Sequence, residues 1–171
     1  NTSDSEYLWF KIYKINFMKY FNIFFIIVIL LITGSCQKKA HKIEKNNIIK
    51  AMEQMDVGDN VSWIVILPGL GCTGCIQEAE VFMKDHINNE EILFVLTKIS
   101  SLKILQQKMG IQIKDYQNVI IDAGNEFDVR TENNIYPCIV QLKTGKIVRH
   151  EFQSPQNSNA FGRLKGMTSG Q

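Results

Sequence analysis

The chain has 171 residues, 45% of them apolar and 21% charged, with a formal net charge of +2. That length suits one globular domain with a real core and leaves little for a second. Lys11, Lys14 and Lys19 and the acids Asp4 and Glu6 precede Cys36, and the remainder holds 16 basic against 15 acidic residues, a balance that argues against nucleic acid as the main partner.

Residues 1–17 read as an upstream extension, with Met18 as the start of a signal peptide over 18–35. Met18-Lys19-Tyr20 supplies a basic opening, Ile23 to Ile32 is ten apolar residues without a break, and Thr33-Gly34-Ser35 puts small residues before Cys36. A membrane span needs about 20 apolar residues, so this run is short for one. Ile32-Thr33-Gly34-Ser35-Cys36 resembles the lipobox of bacterial lipoproteins, departing from it at Thr33, where that family usually has Leu. The resemblance implies a diacylated Cys36 as the mature N-terminus, membrane attachment through the lipid, and a place in the bacterial cell envelope facing the periplasm. Two acyl chains would hold where one only hovers. Residues 36–47 then form the lipidated cysteine and a polar tether, in which His41 is assigned no ligand role.

The domain is expected over 48–171. Ile48, Ile49, Met52 and Met55 recur at helical spacing. Val61 to Leu67 is an almost continuous β-branched apolar run, the pattern of a strand buried on both faces, and Pro68-Gly69-Leu70-Gly71 ends it. Ile76 to His86 has a helical pattern, Glu91 to Thr97 a second buried strand, and Ser101 to Met109 a helix with a Ser cap and Gly110 past its end. Asn118 to Asp122 reads as a third strand. Cys138 to Lys143 and Lys146 to Phe152 read as a hairpin turning at Thr144-Gly145, followed by at most a short helix over Ala160 to Lys165. This order predicts a small α/β layer architecture.

Cys72-Thr73-Gly74-Cys75 stands where the first strand's turn becomes a helix. Unpaired backbone N–H groups and the positive end of the helix dipole favour an anion there. They lower a cysteine pKa and so activate Cys72 as a thiolate nucleophile. Cys75, one turn on, can attack a mixed disulfide and release product.

At these residues the chain resembles the thioredoxin-like fold, and within it the membrane-anchored extracytoplasmic thiol–disulfide oxidoreductases. The resemblance covers about Val61 to Phe152 and rests on the CxxC pair, on Glu78 three residues past Cys75, and on Ile135-Tyr136-Pro137 before the hairpin. It implies a three-layer sandwich with a central mixed sheet ending in a β-hairpin, and a redox-active Cys72–Cys75 disulfide. It also implies a cis Pro137 facing that disulfide, with Tyr136 and Pro137 binding substrate backbone. Glu78, if buried, would serve as acid and base. Gly71 and Gly74 stand where the family usually has Trp and Pro, and Ile66 where cytoplasmic members hold a buried Asp. The implied partners are protein thiol or disulfide substrates and a membrane redox partner; the chemistry calls for no cofactor and no metal.

Two other readings fit the residues. One is a copper or zinc module using Cys72, Cys75 and Cys138, since soft thiolates suit both metals, though His86 and His150 read as isolated surface residues. The other is a non-catalytic lipoprotein with a static disulfide. Cys138 itself reads more readily as an inert buried thiol than as a third exchange partner.

Overall fold

The computed structural model describes residues 39–58 and 60–168. The extension, the signal peptide and Cys36 lie outside these residues. The chain divides into two compact units, Asn1–Lys42 and Ile43–Gln171. Of the first unit only 39–42 is described, in helical conformation.

In the second unit, Trp63–Pro68 (β1) leads through Thr73–His86 (α2) to Ile92–Thr97 (β2), then through Leu102–Met109 (α3) to Val119–Asp122 (β3). Helix α1 covers 39–54 and precedes β1. The hairpin strands Cys138–Lys143 (β4) and Lys146–Phe152 (β5) follow, and Ala160–Thr168 (α4) closes the described chain. The five strands form one sheet in the order β3-β2-β1-β4-β5. β1, β2 and β3 are parallel, whereas β4 runs antiparallel to both β1 and β5.

Burial explains why the central strands read as continuous apolar runs: all six residues of β1 and all six of β2 are buried. Side chains alternate between the two faces, as strand geometry requires. Trp63, Val65, Leu67, Phe94 and Leu96 pack with Phe82, Met83, Phe161 and Leu164 under α2 and α4, with partly buried residues of α3 at the margin. Ile64, Ile66, Leu93, Val95 and Val140 pack on the opposite face with Ile48, Ala51 and Met52 of α1 and with Phe127 and Val129. The result is a three-layer α/β sandwich of thioredoxin-like architecture. Its second outer layer is α1 and the segment 123–137, which carries the chain from edge strand β3 back to β4.

The elements agree with the sequence reading to within a few residues, with two differences. α4 runs on to Thr168. The tether expected over 36–47 is already helical from 39, because Glu44, Asn47, Ile48 and Ala51 follow one helical face onto the sheet. Glu44 is 2% exposed, and the Asn47 side-chain amide donates to the Val129 carbonyl at 2.9 Å.

Candidate active site

Two chain paths meet at the C-terminal end of β1. From there α2, β2, α3 and β3 build the sheet in one direction, while β4 comes in on the other side of β1 after crossing the opposite face. In open α/β sheets such a switch in direction is where ligands commonly bind, at the strand ends. Cys72 follows that end of β1 as the N-cap residue of α2, extended at φ −67° and ψ 99°, and its C=O takes the first helical hydrogen bond from the Ile76 N–H at 2.9 Å.

Cys72 and Cys75 form a disulfide with Cα atoms 5.4 Å apart, within the span that bridged cysteines adopt. The two cysteines are not equivalent. Cys75 is 7% exposed and turned into the core side of α2, while Cys72 is half-buried at the helix tip. No side chain caps α2 and no acid occupies its first turn, so nothing competes with a sulfur anion for the N-terminal amides. Lys84 and His86 in the last turn complement the other end of the dipole.

The segment before Pro137 reaches this tip. The Cys72 N–H donates to the Ile135 carbonyl at 3.0 Å. Gly71 makes the approach possible: its φ is +147°, and a β-carbon there would stand 2.2 Å from the same carbonyl oxygen. A side chain as large as Trp has no room at this position. Leu70 and Ile135, 63% and 42% exposed, flank the tip with apolar surface.

Pro137 is buried at the entry to β4, and its carbonyl accepts from the Gln153 N–H at 2.9 Å. The Tyr136–Pro137 bond is trans, which corrects the cis expectation. The physical reason lies upstream. The 3₁₀ turn Glu132–Ile135 delivers Tyr136 already extended, at φ −108° and ψ 144°, so the chain runs straight into β4 without the tight turn that a cis bond serves. Tyr136 is half-buried beside it.

Glu78 lies on the exposed side of α2, where its carboxylate accepts from the Gln153 side-chain amide. The burial on which an acid–base role was expected to draw is not there. Gln153, which sequence reasoning did not single out, is 2% exposed and joins this corner. Its Nε2 also donates to the Ser158 carbonyl at 2.8 Å, and its Oε1 accepts from the Ala160 and Phe161 N–H groups that open α4.

Cys138 faces the α1 side of the sheet, opposite α2, and pairs in register with Ile66. It is 1% exposed, and burial, followed by the charges of Glu44 and Glu151, pushes its thiol well above the ordinary value. A protonated thiol behind a sheet is a poor nucleophile. Among the described residues no group of three or more His, Cys, Asp or Glu side chains is placed to hold a metal ion. His150, read from sequence as a surface residue, is buried: the bulge between Gln141 and Leu142 shifts the strand phase and turns it inward, where it meets Glu44 at 3.0 Å.

An open cleft of about 640 Å³ lies at the other end of the parallel strands, lined by Val57, Val61, Ile87, Leu93, Tyr116 and Ile120 among others, away from the disulfide. Compared with protein-family models, with curated proteins and with solved structures, the chain matches none. What fold and site define is an α/β protein of thioredoxin-like architecture with a CxxC-spaced disulfide at the tip of its first crossover helix.

Proposed function

We propose that the chain is a thiol–disulfide oxidoreductase that exchanges disulfides with protein substrates through Cys72 and Cys75, held at the periplasmic side of a bacterial membrane by a lipid on Cys36. The observation that carries the reading is the asymmetry of the pair: a half-buried cysteine at an uncapped helix tip is bonded to a buried one a turn inside. In the reductive direction the Cys72 thiolate attacks a substrate disulfide. One substrate sulfur leaves as a thiolate and takes a proton, and the other joins Cys72 in a mixed disulfide. The Cys75 thiolate then attacks Cys72, releasing the second substrate thiol and closing Cys72–Cys75. Two electrons have moved from the pair to the substrate. A membrane redox partner returns them, and the oxidative direction is the same sequence reversed. Leu70, Ile135, Tyr136 and Pro137 are the proposed contacts for the substrate chain. The anchoring rests on the sequence alone, on the run Ile23–Ile32 and on Gly34-Ser35-Cys36.

The test is insulin reduction driven by dithiothreitol. The wild type accelerates it, Cys72→Ser abolishes the acceleration, and Cys75→Ser accumulates a mixed disulfide through Cys72, seen as a mass adduct. No acceleration and no trapped adduct would sink the proposal. Labelling with radioactive palmitate, present in the wild type and absent from Cys36→Ala, checks the anchor.

A further inference from the structure

We infer that Glu44, on α1, is a positioning residue for exchange with protein substrates: its buried carboxylate fixes the segment 131–135, whose last carbonyl receives the Cys72 N–H. The inference rests on the exchange reading above and adds to it a residue that lies on another layer of the fold.

The chain of contacts is continuous. Glu44 Oε1 accepts from the Thr131 hydroxyl at 2.7 Å and from the Asn133 side-chain amide at 2.8 Å, and its Oε2 meets His150 Nε2 at 3.0 Å. Thr131 in turn caps the 3₁₀ turn, accepting from the Asn133 N–H at 3.3 Å, and the turn closes with the Tyr136 N–H on the Asn133 carbonyl at 3.0 Å. One turn along α1, Asn47 holds the Val129 carbonyl. Residues 129–133 are thus held from α1 at three points. The free end of the turn, Ile135, bonds to Cys72 and presents an exposed apolar side chain beside it.

The choice of residue supports a positioning role. The Glu44 and His150 side chains are only 3% and 1% exposed. A buried anion is costly unless its lone pairs are filled, and an apolar residue of similar size would glue a helix to a sheet at least as well. What a carboxylate adds is direction: donors from the turn and from β5 converge on two oxygens and set where the turn lies. A segment ordered in advance spares a protein substrate the ordering entropy on docking. A small disulfide reagent, which meets only the sulfur, gains nothing from it.

That difference is the experiment. On the full chain, reduced and freed of dithiothreitol, two single-substrate rates are compared. One is insulin reduction; the other is reduction of 5,5′-dithiobis(2-nitrobenzoate), in which the reagent's disulfide becomes two thiolates as Cys72 and Cys75 close. Glu44→Leu and the milder Thr131→Val are expected to lower kcat/KM for insulin about fivefold or more, chiefly through KM, and to leave the small-reagent rate within about twofold. Ala51→Gly, which weakens α1 without touching the network, is expected to lower thermal stability and change neither rate. Insulin and small-reagent rates that fall together, or an insulin rate unchanged in both network variants, or an Ala51→Gly protein that reproduces the split, would overturn the inference while leaving the exchange reading intact. A wild type that turns over neither substrate removes both.

Discussion

A methyl group added to Gly71 would lie 2.2 Å from the Ile135 carbonyl oxygen and on a backbone of φ +147°, whereas one added to Gly74 would meet nothing within 4 Å. Gly71→Ala is therefore expected to lower unfolding free energy by about 1–3 kcal/mol through local strain. Gly74→Ala, in the first turn of α2, is expected to raise it by about 0.5–1 kcal/mol. Urea titration of both variants reads the two signs directly. In sequence the two glycines look alike, as two departures beside a cysteine pair. What separates them is the backbone of Ile135, which arrives from a distant part of the chain and leaves no trace in the local pattern. The placement of Cys72 and Cys75 was readable for the opposite reason: the strand-to-helix junction on which they sit is a local pattern. The inert reading of Cys138 agrees with its burial on the far side of the sheet.

Gln153 shows how one residue couples three elements: its side chain joins α2 through Glu78 and α4 through its first two amides, while its backbone N–H bonds the Pro137 carbonyl at the entry to β4. Gln153→Leu keeps the volume and removes the polar ends, leaving the Ala160 and Phe161 N–H groups buried without acceptors. The expected loss is about 2–3 kcal/mol, with faster hydrogen exchange at those two amides as the marker that α4 has lost its start. Elements held by local patterns were legible in the sequence. β1 and β2 follow from unbroken apolar runs, and the hairpin from Thr144-Gly145, whose φ values of 50° and 71° suit a two-residue turn. α3 follows from its Ser101 and Gly110 caps. The first half of α1 was not legible, because Glu44 and Asn47 are polar on a core-facing side. Their partners Val129, Thr131, Asn133 and His150 lie more than 80 positions away. Buried Glu44 therefore passed for a linker residue and buried His150 for a surface one.

Across the whole molecule, acid is expected to act through two carboxylates. Burial pushes Glu44 up, but hydrogen bonds from His150, Thr131 and Asn133 outweigh it and hold it below the ordinary value of 4.5. Burial likewise opposes, and Arg163 and Asn157 together outweigh it, at Glu151. Each native pKa lies below its unfolded one, so each contribution is fully present above about pH 4.5 and is lost as pH falls through the depressed native value. Urea midpoints measured from about pH 6 down to about pH 3 should fall, and Glu44→Gln should flatten part of that slope. The sheet order was not written in any single stretch either; it follows from the second layer, where 123–137 carries the chain back across the sheet. The Glu44–His150 contact joins positions 106 apart. A ribosome adding roughly 5–20 residues per second makes α1 roughly 5 to 20 s before it makes β5. For most of that interval Thr131, Asn133 and His150 are all still to be made, and the Glu44 carboxylate has none of these three donors. Synthesis therefore completes the strand whose His150 holds Glu44 only after both cysteines have been made, and a nascent Cys72–Cys75 pair exists before the turn that receives the Cys72 N–H is held from every side.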